Sequence, residues 1–275
     1  MPELPEVETM RRGLTPLVGR KVLGVERPRC RCRPISIMPR WATLRRRMVG
    51  RTISAVSRLG KRVVIELDEG GRLVIEPRMT GLVLLAAPPS LEHLRLRIIV
   101  SGGPELLFWD RRGLGTVRLF AADEFAAEFD RRIGPDALSL TPEMSRQRLS
   151  GSRREIKVAL LDQKAIAGIG NLYASEILHL ARIHPRQRCD QLCRSQWPRL
   201  HAAIREVLEA AIRHEGSTLS DGTYRNALNQ NGGYQNHHRV YDRAGEVCTS
   251  CGRGTIVRIV QAQRSTFYCT KCQKL

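Results

Sequence analysis

The chain has 275 residues, 42% of them hydrophobic, with 46 Lys and Arg against 27 Asp and Glu for a formal net charge of +19. That excess points to a polyanionic partner, above all nucleic acid, and says little about fold. No apolar run approaches the roughly 20 residues that cross a bilayer, and the acidic start lacks an apolar signal region. A membrane partner is excluded on this reading, and an intracellular, cytoplasmic protein with reduced cysteines is expected.

The first segment, "MPELPEVET", holds two prolines and three carboxylates without a base. A helix is predicted from about Glu6 to Val18, because Pro5 suits a helix start and Glu6 and Glu8 favour the positive end of its dipole. Pro2 and Glu3 are left unexplained by that account. With Met1 removed, Pro2 becomes a free secondary amine titrating near about 7.7–8.0, partly neutral at physiological pH. Such an amine can attack an electrophilic carbon and form a cationic iminium, an electron sink for elimination. Glu3 could donate a proton to the displaced group.

Most of the next 125 or so residues read as β-rich. Arg27, Arg29, Arg31 and Arg33 alternate with other residues as a solvated basic strand face would, and Arg45-Arg46-Arg47 is read the same way. "KRVVIELDEGGRLVIEP" sets two β-branched runs around Asp68–Gly71 and predicts a hairpin. "LRLRIIV" (Leu94–Val100) alternates, and "ELLFWD" and "GTVRLF" are further short strands. A second helix is predicted near Ala122–Arg131.

Gly134-Pro135 punctuates the chain. From Pro142 to about Glu215 the apolar spacing is helical, broken at Gly168-Ile169-Gly170-Asn171. This glycine turn does not follow a strand, so it is no dinucleotide fingerprint. It fits either a phosphate-binding turn at a helix N-terminus, with "GSRREIK" adding cations, or a plain connector. The Gly- and Asn-rich stretch 216–235 is expected to be mobile.

The tail carries the sharpest local signal. Cys248-x₂-Cys251 and Cys269-x₂-Cys272, 17 residues apart, can close four thiolates around one zinc ion, leaving no open position and hence a structural role. Between them a hairpin is predicted, with Gln261–Ser265 near its tip and Arg264 presented outward. Cys30, Cys32, Cys189 and Cys193 have poor ligand spacing and are read as free thiols, with no second metal site expected. Three segments follow: a β-rich 1–134, a helical 135–235 and a metal module 236–275.

Taken in order, "MPELPEVET", "GKRVVIEL", "RMTG", "DRRGLG", "GIGNLYASEIL" and "QAQRSTFYCTKCQ" resemble the formamidopyrimidine-DNA glycosylase family over nearly the full length. The resemblance implies an α+β multidomain fold: a β-sandwich flanked by helices, a helix–two-turn–helix domain and a four-cysteine zinc-finger hairpin. It implies a monomeric base-excision-repair enzyme acting on damaged double-stranded DNA. Oxidised purines would be released from a flipped nucleotide, and the strand cleaved by β,δ-elimination. Pro2 would be the nucleophile and Glu3 the acid. Lys61 would assist elimination, Arg264 would give a proton in the last step, and Glu6 would participate secondarily.

By the same resemblance His93, Arg153 and Asn171 match phosphate contacts, and Met79, Arg112 and Leu114 match residues that fill the void left by the flipped base. Met79 and Leu114 also fit as ordinary core residues, and Arg112 as a surface cation. The chain departs from the family pattern at Glu76, Arg78, Arg111 and Leu114, where histidine, glycine, proline and an aromatic are usual. Glu76 is expected to bring negative charge towards the DNA side. The rival readings are an endonuclease VIII-like glycosylase for oxidised pyrimidines, disfavoured by Leu4–Glu8, and a non-catalytic zinc-ribbon DNA binder, disfavoured by intact Pro2, Glu3 and Lys61.

Overall fold

The computed structural model describes residues 2–130, 132–220 and 222–275. Removal of Met1 and the predicted helix end at Arg131 concern residues outside that set. The chain gathers into two compact units. One holds residues 2–130 together with Ile212–Gln235, and the other holds residues 132–211 together with Asn236–Leu275.

In the first unit, helix α1 runs over Leu4–Gly13, followed by a 3-10 turn at Thr15–Leu17. It starts two residues earlier than predicted because the Glu6 carboxylate accepts the backbone N–H of Glu3 at 2.8 Å, fixing Glu3 as the N-cap. Gly13 and Pro16 account for the early end. The strands are β1 (Val22–Glu26), β2 (Ser36–Met38), β3 (Ile53–Leu59), β4 (Arg62–Leu67), β5 (Arg72–Glu76), β6 (Gly81–Leu84), β7 (Leu94–Val100), β8 (Leu106–Asp110) and β9 (Thr116–Phe120). They form a four-stranded sheet, β1-β7-β8-β6, and a five-stranded sheet, β2-β9-β5-β4-β3, in which only β2 and β9 pair in parallel among the described residues.

Val63, Ile65, Leu73 and Ile75 of one sheet share a single buried core with Leu96, Ile98 and Phe108 of the other, and Val7 and Met10 of α1 join it. The predicted hairpin is β4–β5, with Val63 opposite Ile75. Helix α3 (Ala122–Phe129) lies where the second helix was predicted.

Two basic runs differ from expectation. Arg27, Arg29, Arg31 and Arg33 are exposed and alternate as predicted, but they lie on a loop between β1 and β2. Pro28 and Pro34 supply no N–H for a ladder, and no strand pairs there. Arg45-Arg46-Arg47 lies on helix α2 (Trp41–Met48), where buried Leu44 and Met48 are four apart and give a helical stripe.

The second unit contains α4 (Pro142–Leu149), α5 (Ile156–Leu160), α6 (Asn171–Leu180) and most of α7 (Gln196–Arg213). Its hairpin is β10 (Ile256–Gln261) and β11 (Arg264–Cys269). The helical break predicted at Gly168–Asn171 separates α5 from α6, with two tight turns between them. Helix α6 is buried nearly all round, with Tyr173, Ile177 and Leu178 fully covered. That encirclement explains its apolar sequence.

Candidate functional site

Pro2 is buried and leads into α1, and Glu3 at the N-cap is only 3% exposed. Glu6 is committed to structure on two sides. One oxygen accepts the Glu3 N–H, and the other accepts the backbone N–H of Ser217 at 2.9 Å. Gly216, at φ +81, lets the chain pass here, since a Cβ would come within 2.9 Å of the Glu6 side chain. The Tyr224 hydroxyl donates to the Glu215 carbonyl at 2.9 Å. Burial, with the Glu6 charge adding to it, pushes this phenol well above its usual range, so it stays protonated.

The stretch expected to be mobile is therefore tied at its base. Gly232 N donates to Thr218 Oγ1 at 2.9 Å, and Thr218 N donates to Gln235 Oε1 at 3.0 Å.

Lys61 sits with Gly60 at the two-residue tip of the β3–β4 hairpin, half-buried. Helix α1 packs on both strands. Glu8 fixes the register between them: it pairs with Arg58 of β3 at 3.1 Å and with Arg11 and Arg12 of its own helix at 2.9 Å. Arg58 in turn donates to the Gly60 carbonyl at 2.9 Å. Burial raises the Glu8 carboxyl, but the three guanidinium groups outweigh it and hold the pKa below the usual carboxylate range.

Met79, Arg112 and Leu114 lie on two turns joined by a residue to which sequence reasoning gave no role. Asp110 is fully buried. Its Oδ1 accepts the Thr80 hydroxyl at 2.5 Å and the Arg112 N–H at 3.2 Å, and its Oδ2 accepts the Gly115 N–H at 2.8 Å. One carboxylate thus clamps the Met79–Thr80 turn to the 111–115 turn. Met79 is 39% exposed, so it is not a core residue; Leu114 is half-buried, and Arg112 faces solvent as a surface cation also would. Gly113 has φ +61, and a Cβ there would strike the Arg33 carbonyl oxygen.

The expected negative charge of Glu76 is neutralised. Its two oxygens pair with Arg62 at 3.1 Å and Arg78 at 3.2 Å, so the departures at 76 and 78 compensate one another. His93 is stacked edge-on against Trp109 at 5.5 Å, and Arg111 reaches the Thr223 hydroxyl at 3.5 Å.

In the second unit Arg153 is exposed on the approach to α5. Asn171 opens α6 and is held from both ends: Lys157 Nζ donates to its Oδ1 at 2.7 Å, and its Nδ2 donates to the Ser265 carbonyl at 2.9 Å. Lys157, fully buried, is a second residue that sequence reasoning did not single out. Ser265 adjoins Arg264, which is exposed at the start of β11. The tip residues Ala262 and Gln263 both have positive φ (45° and 60°), the backbone of a tight two-residue hairpin. Gln261 is locked by donating to Glu155 at 2.6 Å and to the Pro185 carbonyl at 3.2 Å.

Cys248, Cys251, Cys269 and Cys272 bring their sulfurs within 4.8 Å of one another. The Cys248–Cys272 and Cys251–Cys269 separations are 3.9 and 3.8 Å. Two thiolates about 2.3 Å from a tetrahedral zinc stand about 3.8 Å apart, so the donor set fits the ion. Backbone N–H groups of Gly254 and Cys272 donate to Cys251 and Cys269 sulfur at 3.3 and 3.4 Å, as thiolates require. Zinc here closes the module and offers no position for water. Buried Glu176 of α6 secures the segment before the knuckles by accepting the N–H groups of Arg239, Val240 and Tyr241 at 2.8–2.9 Å.

Two helices joined by two tight turns, with a four-cysteine hairpin docked on the second helix, define a zinc-binding protein of the helix–two-turn–helix class. Family models agree segment by segment. Residues 1–117 match the formamidopyrimidine-DNA glycosylase N-terminal domain, 133–223 its H2TH domain, and 245–275 a zinc finger found in FPG and IleRS. The formamidopyrimidine-DNA glycosylase of Chloroflexus aurantiacus is 42% identical over 99% of this chain and 98% of its own length. That of Lactococcus lactis subsp. cremoris is 36% identical over all of both chains. The Lactococcus lactis Fpg complex with N7-benzyl-Fapy-dG DNA superposes with a TM-score of 0.88 at 36% identity over all of both chains. Its complex with abasic-site DNA gives 0.88 at 35% over 99% of this chain and 100% of that one. The chain belongs to the formamidopyrimidine-DNA glycosylase family.

Proposed function

We propose that this chain is a base-excision-repair DNA glycosylase that removes oxidised purines, 8-oxoguanine and formamidopyrimidines, from double-stranded DNA and then cleaves the strand as a lyase. The observation that carries the reading is the buried Pro2-Glu3 pair at the start of α1, held by Glu6, in a member of this family. In the proposed reaction the Pro2 nitrogen lone pair attacks C1′ of the flipped nucleotide. The bond from C1′ to the base breaks, its electron pair leaving with the base, and Glu3 supplies the acid function. The sugar ring opens to an iminium. Loss of a C2′ proton then expels the 3′ phosphate, and a second elimination expels the 5′ phosphate.

Lys61 assists these steps and Arg264 gives the proton of the last one. Glu6 acts as a positioning residue, since both its oxygens are taken by backbone N–H groups. His93, Arg153 and Asn171 hold phosphates, and Met79, Arg112 and Leu114 occupy the vacated stack. The functional segments are 1–134, 135–235 and 236–275, acting as a monomer with one structural zinc in the four-cysteine module. A cytoplasmic location is proposed from the bacterial relatives, and no helix among the described residues is long and apolar enough to cross a membrane.

Borohydride trapping on an 8-oxoguanine duplex tests the reading. The native chain should give a covalent protein–DNA complex and Pro2→Gly none. Trapping that survives Pro2→Gly removes Pro2 from the mechanism, and no trapping on any oxidised base removes the lyase.

A further inference from the structure

Cys30 and Cys32, read from sequence as isolated thiols, are not isolated in the fold. The loop between β1 and β2 brings both beside His93, and the two sulfurs and one imidazole nitrogen all lie within 4.8 Å of one another. Cys32 Sγ is 3.6 Å from His93 Nδ1. A thiolate and an imidazole bound to the same tetrahedral zinc, at about 2.3 and 2.0–2.1 Å, stand about 3.6 Å apart. Exposed Glu92 lies outside this close cluster, with one carboxylate oxygen 3.8 Å from Cys32 Sγ and the other 3.8 Å from His93 Nε2, so its side chain must turn to supply a fourth ligand.

Behind the thiols lies Arg95, only 3% exposed. Its Nη1 donates to Cys30 Sγ at 2.7 Å, and its Nη2 has no hydrogen-bond partner among the described residues. A buried guanidinium beside the sulfurs would offset the charge of a dithiolate site. On the opposite edge of the imidazole, His93 Nε2 remains as an N–H donor when Nδ1 is ligated.

We propose that Cys30, Cys32 and His93, with Glu92 as fourth ligand, form a second zinc site, on the β-sandwich and separate from the four-cysteine module. Binding transfers two thiol protons to solvent and leaves two Zn–S bonds, one Zn–N bond and one Zn–O bond to the Glu92 carboxylate, with the waters of the hydrated ion released. Two sulfurs and an imidazole select zinc over the hard cations magnesium and calcium. The ion would pin the arginine-bearing loop to the segment leading into β7. Because the Arg33 carbonyl backs Gly113, it would also stiffen the 111–115 turn, a consequence that rests on the void-filling reading of Arg112 and Leu114.

The test is metal content of the full, reduced chain after exposure to excess zinc and gel filtration. Two zinc ions per chain are expected for the native protein and for Cys193→Ser, and one for the double variant Cys30→Ser/Cys32→Ser. Cobalt substitution gives a second readout: thiolate-to-cobalt charge-transfer absorption should fall by about one third in the double variant, two of six Co–S bonds being lost, with four retained in the closed module. If the double variant does not fold, His93→Gln, which leaves both thiols in place, should also drop to one ion. One ion per chain in the native protein, or two in Cys30→Ser/Cys32→Ser or in His93→Gln, overturns the site. Neither result depends on glycosylase activity, so the count stands or falls apart from the proposed function.

Discussion

Asp110 ties two turns of the first unit together. Three donors, the Thr80 hydroxyl and the N–H groups of Arg112 and Gly115, end directly on its two oxygens. Asp110→Asn keeps the shape but replaces one acceptor by a donor, so an N–H is left facing an N–H₂. The expected cost is about 1.5–3 kcal/mol, the value of a charged hydrogen bond lost in a buried place. Urea denaturation checks it: the midpoint should fall with the m-value unchanged, and an unchanged midpoint would mean the two turns hold themselves.

The residues that could be named from sequence are those whose chemistry is local. Four cysteines in two knuckles announce their ligand set, and Pro2-Glu3 stands out because a helix predicted from Glu6 leaves it over, although in the fold Glu3 also caps that helix. Asp110 and Lys157 lie in stretches marked for other reasons, but their structural roles were not legible because their partners, Thr80 and Asn171, are 30 and 14 residues away. The Cys30–Cys32–His93 group escaped for the same reason, Cys32 and His93 being 61 residues apart.

At the scale of elements, α1 is joined to the β3–β4 hairpin by charge as well as by packing. Glu8 binds Arg58 across the interface, and its carboxyl is held below the usual carboxylate range. The sign follows from linkage. A group more acidic when folded contributes stability in full above its unfolded value, near about 4.3, and loses it as pH falls through the folded value. Glu8→Gln should therefore destabilise the protein at neutral pH and flatten its stability profile below about pH 4.3 relative to the native chain. Thermal melts from pH 7 downward measure this, and parallel profiles for the two proteins would contradict it.

Elements were legible where pattern and environment coincide. Strand β7 alternates because one face is core, and β4–β5 reads as a hairpin because its β-branched runs are long. The basic loop at 27–33 was misread because alternation alone cannot say whether a neighbouring strand is there to pair with it. The 45–47 run was misread because the three arginines draw the eye from Leu44 and Met48, which set the helical period.

For the whole molecule the dominant quantity is +19. Binding to duplex DNA should weaken steeply with salt, the logarithm of affinity falling by about 0.9 per tenfold salt for each phosphate neutralised. Arg153, exposed and without an ion pair among those described, is a candidate phosphate contact. Arg153→Ala should reduce the slope by about 1 and weaken binding to lesion and undamaged duplexes alike. Anisotropy titrations from about 50 to 200 mM salt give both numbers. An unchanged slope would assign the phosphate contact to other cations.

The bond between Glu6 and Ser217 spans 211 residues of chain. During synthesis the amino end leaves the ribosome first, yet the carboxylate that steadies Glu3 keeps one oxygen unmatched until residue 217 has been made. At about 5–20 residues per second this delay is about 10–40 s. The end of the chain that is born first is thus among the last to be completed, and the nascent protein passes most of its synthesis with its amino terminus unfinished.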